Sequence, residues 1–441
     1  MIFKITQENI ADIHNQGLKK DAEKYVYQYE NFNNYIKSKG IKISDKEYIS
    51  DENILIEKLK EKGAYICHNG KSIYYNNISP SCIDCHTGYG SATYIITLKC
   101  NRDCFFCTNK NQDDYAEGVN KVYDILSQFQ NHLKQYKKMK SVAVTGGEPL
   151  LYAKECALFI NEVKKADESI QTRIYTNGDL VTEEIMKSLK EAGLDEIRFG
   201  LKPDSKGKIS DNILENLKTA KKYIKRTMVE MPFPKGKVHE MKSLMDVLDN
   251  IGIYGINILE FLYPFVESTE YAKKDYQVKK HPYNVLYPYT YAGGVPVAIS
   301  SVECLQVMLY AVEKNMKMGL HYCSLENKLT SQVYHANFNV SKSEIEYFSQ
   351  NDFFIKVAKG YNEDINIIKK VLQENKKEYI IYDEEKIIEF NPENISLLKD
   401  YNMELGLAYL AVDYDNQLKS KVMREYQIDK VIPSLFDISE L

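Results

Sequence analysis

Three features predict an α/β chain built around a partial (β/α)6-type TIM barrel. Strand-like and helix-like segments alternate from residue 93 onward, the pattern of a parallel sheet or barrel. The first of these strands, 93–98, is apolar and β-branched, as a buried strand requires. Six strand–helix units can be counted, fewer than the eight of a full barrel.

Residues 1–63 are polar and helical in pattern, with Ile54, Leu55, Ile56 and Leu59 on one face of the second helix. Two short strands then flank Asn69-Gly70, which supplies the positive-φ pair of a type I′ hairpin turn. Pro80 ends that unit and Cys82-Ile83-Asp84-Cys85-His86 follows. The alternating region has strands at 93–98, 141–145, 172–175, 196–201, 227–231 and 255–261. Helices fall at 119–133, 153–165, 183–192, 211–224 and 241–250. A Tyr- and Pro-rich loop over 262–294 has the length of a site cover, its densest part being 276–291. Segments 296–300 and 319–322, with a helix between them, are placed to close the sheet. The tail reads β-α-β-β-α-β, ending on a strand at 405–412, which is the order of a ferredoxin-like α+β module. The expected domains are a helical, Cys-rich extension (1–90), the barrel (91–325) and the C-terminal module (326–441).

Of 441 residues, 44% are hydrophobic and 27% charged, which supports packed cores and excludes wholesale disorder. Lys and Arg number 58 against 62 Asp and Glu, and no basic, aromatic-interleaved stretch occurs. Both facts argue against nucleic acid as a partner. No apolar run approaches the roughly 18–20 residues of a membrane span, and the N-terminus turns polar too early for a signal peptide. The expectation is a cytoplasmic chain. Six of its nine cysteines lie between Cys67 and Cys107, and in that compartment close spacing points to metal or redox chemistry.

Cys100-Asn101-Arg102-Asp103-Cys104-Phe105-Phe106-Cys107 leaves the end of the first strand of the alternating region. Three thiolates on one tight loop can hold three irons of a [4Fe–4S] cluster, leaving the fourth iron open. A zinc site, which prefers four ligands in two paired knuckles, is the alternative. This C-x3-C-x2-C arrangement resembles that of the radical S-adenosylmethionine (radical SAM) superfamily. So do Gly146-Gly147-Glu148-Pro149 at the second strand end, similar to the family's GGEP motif, and Thr176-Asn177 at the third. The resemblance covers about residues 93–261. It implies a [4Fe–4S] cluster on Cys100, Cys104 and Cys107 that binds S-adenosylmethionine (AdoMet) and a 5′-deoxyadenosyl radical that abstracts hydrogen from a substrate. It also implies a reducing donor such as flavodoxin or ferredoxin. Glu148 would receive the AdoMet ammonium and Thr176-Asn177 its ribose. Phe106 packs on the adenine or is a core aromatic; Lys202 pairs with the carboxylate or is solvated. Glu230 and Glu260 are further candidates at strand ends.

Cys67, Cys82 and Cys85 form a second group, with Cys323 the expected fourth member and His68, His86 and Cys304 as alternatives. An auxiliary [4Fe–4S] cluster and a zinc knuckle both fit this group, whereas Cys156 reads as an ordinary core residue. The absence of cysteine after Cys323 departs from the family's cluster-bearing C-terminal extensions. The Cys-rich front and the 319–325 region are similar to uncharacterised proteins related to pyruvate formate-lyase activating enzyme. The function expected is radical chemistry on a peptide, protein side chain or small metabolite. A non-catalytic iron–sulfur redox or sensor protein and a tRNA-modifying radical enzyme are the alternatives.

Overall fold

The computed structural model describes residues 1–135, 138–202, 208–289 and 293–441. They form two compact units: Ile41–Pro282 with Tyr291–Ser331, and Met1–Gly40 with Tyr283–Thr290 and Gln332–Leu441. The boundaries therefore differ from 90 and 325, because the first helix belongs with the C-terminal module. That helix, Gln16–Ser38, starts where the Asn15 side chain accepts from the Gly17 and Leu18 amides. Its Leu18, Ala22, Tyr25 and Val26 pack with Tyr361, Ala408 and Ile428. Gly17 permits the approach, since a Cβ there would stand 2.6 Å from Tyr361 Cβ.

In this smaller unit, strands Leu405–Asp415, Ile355–Tyr361, Ile387–Phe390 and Tyr379–Tyr382 lie side by side in that order, all antiparallel. With helix Asp364–Glu374, this is the ferredoxin-like arrangement. Its second helix is a 3-10 segment, Pro392–Leu398. The sheet continues past the expected last strand through Ser420–Val431 to Ile2–Phe3.

The larger unit is a curled nine-stranded sheet. Strands Ser91–Thr97, Ser141–Gly146, Gln171–Thr176, Glu196–Phe199, Arg226–Pro232, Gly255–Leu259 and Gly319–Cys323 run parallel in sequence order. The hairpin Tyr65–Cys67/Ser72–Tyr75 adds two antiparallel strands beside Gly319–Cys323, an attachment the sequence did not reveal. Its Asn69 and Gly70 have φ of 53° and 82°, as the type I′ turn requires, and the Lys71 amide donates to the His68 carbonyl at 3.1 Å. Segment 296–300 does not join this sheet. Gly294–Pro296 instead pairs with Leu262–Pro264 in a separate ribbon, and the chain turns directly into helix Ser300–Glu313. The helix expected over 119–133 is shortened to Ile125–Gln135, because the Asp124 carboxylate accepts from Ser127 and begins it there. On helix Ile49–Glu61 only Leu59 of the expected face is buried, and Ile54 is exposed.

From the fourth to the seventh parallel strand, a polar residue stands between two apolar ones. Ile174, Ile197, Val229, Ile256 and Leu320 join the core between sheet and helices. Arg173, Tyr175, Glu196, Arg198, Glu230, Asn257 and His321 alternate with them and so face the opposite side, the inside of the curl. The barrel thus has a polar interior, and its strand ends carry charge.

Candidate active site

The Cys100–Cys107 loop leaves the first parallel strand, and three contacts tie it and the turn after it to their neighbours. Arg102 forms a two-point ion pair with Asp179, Nε–Oδ2 at 2.6 Å and Nη2–Oδ1 at 2.5 Å, joining the loop to the turn after Gln171–Thr176. Asn109 Nδ2 donates to the Gly146 carbonyl at 2.6 Å. The Asn177 side-chain amide donates to Asn101 Oδ1 at 2.7 Å and lies 3.7 Å from Cys100 Sγ. Cys100, Cys104 and Cys107 are each half-buried. The Cys104 thiol is pushed up by burial, with Lys202 pulling the other way.

Gly146 and Gly147 bring the second strand end against this loop. The Gly147 amide donates to the Thr97 carbonyl at 2.7 Å and the Glu148 amide to that of Lys99 at 2.8 Å. A Cβ on Gly146 would stand 2.0 Å from Thr97 O, and one on Gly147 2.0 Å from Lys99 O. Gly146 also has φ +132°, a conformation that favours glycine.

These elements enclose a cavity of about 410 Å³. Its walls include the three thiols, Phe106, Gly146, Gly147, Thr176, Asn177 and Lys202, together with Tyr175, Glu230, Glu260 and Lys328. Lys202 Nζ stands 4.9 Å above the Phe106 ring, so both face the same space. Tyr271 reaches the cavity from the Tyr-rich loop, whereas Tyr283, Tyr287 and Tyr289 pack with one another in the other unit. The end of the expected cover, residues 290 and 291, lies outside the described residues.

Glu148 and Pro149 do not line the cavity. Glu148 is fully buried, and its carboxylate accepts from the Leu150 amide at 2.9 Å, Thr176 Oγ1 at 2.8 Å and the Asn177 amide at 2.7 Å. Burial raises its pKa against the pull of those donors. The Glu148 carboxylate thus ties the second and third strand ends together. Its side-chain direction is set by residues some thirty positions downstream. Pro149 opens the 3-10 turn that follows.

Glu230 is the cavity's best-defined carboxylate. Its Oε2 accepts from Arg198 Nη1 at 2.6 Å and Asn257 Nδ2 at 2.7 Å. Burial alone would raise its pKa, but Arg198, Lys328 and Asn257 hold it at about 2. Arg198 also donates to Glu196 at 2.6 Å and to Cys82 Sγ at 3.2 Å. Sequence reading passed over Arg173, Arg198, Asn257 and His321. Their signal was there in the polar residue at every second position of otherwise apolar strands. Glu260 is held by Lys279 at 3.0 Å and the Leu325 amide at 2.7 Å.

Of the second cysteine group, Cys82, Cys85 and Cys323 lie close enough to influence one another. Cys67 sits two strands from Cys323, with Ser72 between them in register, and no other cysteine acts on it. Cys156 and Cys304 are buried within helices. Among the described residues no three His, Cys, Asp or Glu side chains converge at metal-ligand spacing, and this holds for the Cys100 triplet as for the second group. The first site nonetheless fits a thiolate-held cluster with a small organic ligand. Three half-buried thiols share one cavity wall, and the wall beside them is glycine backbone where a Cβ has no room.

Residues 94–248 match the radical SAM superfamily. The chain is 24% identical over 329 residues to a putative glycyl-radical enzyme activating enzyme of Methanocaldococcus jannaschii, covering 72% of this chain and 83% of that protein. A probable GTP 3′,8-cyclase of Methanococcus maripaludis is 26% identical over 185 residues, covering 38% of this chain and 57% of its own. Among solved structures, Streptococcus suis SuiB bound to precursor peptide SuiA aligns at TM-score 0.40 and 15% identity, over 66% of this chain and 56% of that one. The chain thus spans a little over half the length of these last two. Over residues 94–248 the chain is therefore similar to the radical SAM superfamily.

Proposed function

We propose that this chain is a radical SAM enzyme that cleaves AdoMet reductively and abstracts hydrogen from a peptide or protein side chain, or from a small metabolite. The observation that carries the reading is convergence. The Cys100–Cys107 loop, Gly146-Gly147, Thr176-Asn177 and Lys202 follow four successive parallel strands and border one cavity. That edge of an α/β barrel is where active sites assemble.

When bound, the cluster and AdoMet supply the electron and the 5′-deoxyadenosyl radical. The protein's part is to hold and orient. Cys100, Cys104 and Cys107 would ligate three irons. The backbone at Gly146-Gly147 gives close approach to the methionine end of AdoMet, and Thr176-Asn177 offers polar groups to its ribose. Lys202 offers a cation for a carboxylate, and Phe106 an apolar face. At about 410 Å³ the cavity falls within the range of ligand pockets, about 300–1,000 Å³. A flavodoxin or ferredoxin would serve as electron donor. Among the described residues no helix is long and apolar enough to cross a membrane. This reading needs no second metal centre at Cys67, Cys82, Cys85 and Cys323.

The test is anaerobic reconstitution with iron and sulfide, followed by reduction with AdoMet and assay of 5′-deoxyadenosine. The native chain should release it, and Cys100→Ala, Cys104→Ala and Cys107→Ala should each abolish release. Undiminished release from any of the three would overturn the assignment.

A further inference from the structure

The carboxylates around the cavity are each met by protein donors, and its cations are not. Glu260 has Lys279 at 3.0 Å and the Leu325 amide at 2.7 Å. Glu230 has Arg198 and Asn257 on Oε2, and Asp179 has Arg102. Lys328 stands differently. It lies on the 3-10 turn Glu326–Lys328 that follows the seventh parallel strand, and it lines the cavity with an exposed side chain. It forms no hydrogen bond or ion pair with the described residues. Lys202, the other lysine of the cavity wall, is the one offered above to the AdoMet carboxylate.

A second unmet cation lies at the inner end. Thr93, Ala143 and Arg173 stand side by side, in register, on the first three parallel strands. Thr93 lines the cavity, and so does Tyr175, two residues after Arg173 and on the same face of its strand. The Arg173 guanidinium carbon is 5.1 Å from the centroid of the Tyr175 ring. Arg173 therefore sits just beneath the cavity wall. It is 6% exposed, and its Nε has no hydrogen-bond partner. A buried guanidinium with an unmet donor is costly unless an acceptor stands near. Arg198 already serves both Glu196 and Glu230, so the Arg173 charge offsets the second of these carboxylates at a distance. That leaves its N–H groups still without an oxygen. It also leaves Lys328 in excess, in charge as well as in bonding.

We infer that the substrate carries an anionic group, a carboxylate or a phosphate, that pairs with Lys328, and that Arg173 donates to an oxygen of the same molecule from the inner end of the cavity. This deepens the radical SAM reading and rests on it in one respect, that Lys202 is left to AdoMet. Arg173 comes from the third parallel strand and Lys328 from just after the seventh, four strands away in the sheet order. A ligand that touches both therefore lies across the curl. An ion pair formed inside a cavity, away from bulk water, gains more than the same pair on an open surface.

Calorimetric titration of the reconstituted, AdoMet-loaded and unreduced chain tests this. Pyrophosphate and glutarate are the phosphate and carboxylate probes, and pentanediol is the uncharged control. At least one anion should bind while the diol does not, and its affinity should weaken as salt is raised. Lys328→Gln should lower that affinity by about tenfold, and Lys328→Arg, which keeps the charge, should restore most of it. Arg173→Gln should lower it as well. Where that buried change prevents folding, the two Lys328 variants, made on an exposed side chain, carry the test alone. Preference for one probe over the other assigns the anion. Binding of neither anion overturns the proposal, as does equal binding by the diol. Undiminished binding in Lys328→Gln means an adventitious ion only and overturns it too. Release of 5′-deoxyadenosine by the native chain without any probe, measured on the same preparation, keeps the two readings apart. Release without anion binding removes the anion subsite alone, and anion binding without release removes the enzyme reading alone.

Discussion

Replacing Glu148 with Gln separates two roles for the GGEP carboxylate. If the side chain binds the AdoMet ammonium, E148Q weakens ligand affinity and leaves the free protein unchanged. The structure gives the opposite expectation. Oε1 takes the Leu150 amide and Thr176 hydroxyl while Oε2 takes the Asn177 amide, all inside a fully buried site. Gln keeps one acceptor oxygen and turns an NH2 toward one set of donors. In the less damaging orientation the Asn177 amide loses a bond to a charged acceptor, worth about 1.5–3 kcal/mol, and is left buried without a partner. The cost is then about 3 kcal/mol. For a unit of this size each kcal/mol moves the thermal midpoint by roughly 2–4 °C, so the barrel's transition should fall by roughly 6–12 °C without AdoMet present. Amide exchange at Asn177 should quicken in parallel, since its only acceptor is gone. The assay is thermal unfolding of the anaerobic, AdoMet-free protein, with AdoMet affinity measured separately. A midpoint within about 1 °C of the native chain, combined with a tenfold loss of AdoMet affinity, would refute the clamp.

Gly147→Ala should leave iron binding by the three cysteines intact and lower AdoMet affinity by at least tenfold, because its Cβ would stand 2.0 Å from Lys99 O and force the strand end off the cysteine loop. Equilibrium binding checks this, and wild-type affinity would mean that the two strand ends part without consequence. Acid sensitivity follows from Glu230, held at about 2 against an ordinary value of 4.5. A depressed carboxylate stabilises the folded state fully above the unfolded pKa, so the contribution is present above pH 4.5 and fades as pH falls toward 2. It amounts to about 3 kcal/mol at 1.4 kcal/mol per unit. Denaturant unfolding between pH 5 and 3 should show the native chain losing stability more steeply than Glu230→Gln; parallel slopes would rule the linkage out.

What could be read from the sequence was what is local along the chain. The cysteine triplet, the glycine pair and the Asn-Gly hairpin turn are each set by neighbouring residues, and each was visible as spacing. The parallel strands announced themselves by alternation with helices. What escaped notice depended on partners far away in sequence. Ser72 meets His321 across 249 positions, so nothing near residue 72 says that its hairpin extends the barrel sheet. Glu148 is engaged by Thr176 and Asn177, 28 and 29 positions on. The first helix packs with strands near the other end of the chain, through Tyr361 and Ala408. Side-chain direction at a strand end is a tertiary property, and motif spacing does not encode it.

The polar inner face of the barrel holds the cavity's carboxylate in place. Burying Glu196, Arg198 and Glu230 costs desolvation that only good geometry offsets. The contacts meet that demand, with Arg198 reaching both carboxylates at 2.6 Å and Asn257 adding a second donor to Glu230 Oε2. A core of aliphatic residues at these positions would be at least as stable, so stability alone gives no reason for charge here. What the network provides is position. Glu230 is held ionised at the cavity wall, with Oε2 taking both donors. The same guanidinium presents Nη2 to the Cys82 sulfur. A change at Cys82 that adds or removes negative charge therefore alters the field on Arg198, and through it the carboxylate that faces the first cavity. Arg198→Lys keeps the charge but loses the planar fork, so one side chain can no longer address Glu196, Glu230 and Cys82 together. Glu230 would then lose its fixed orientation while the Cys82 thiol stays in place.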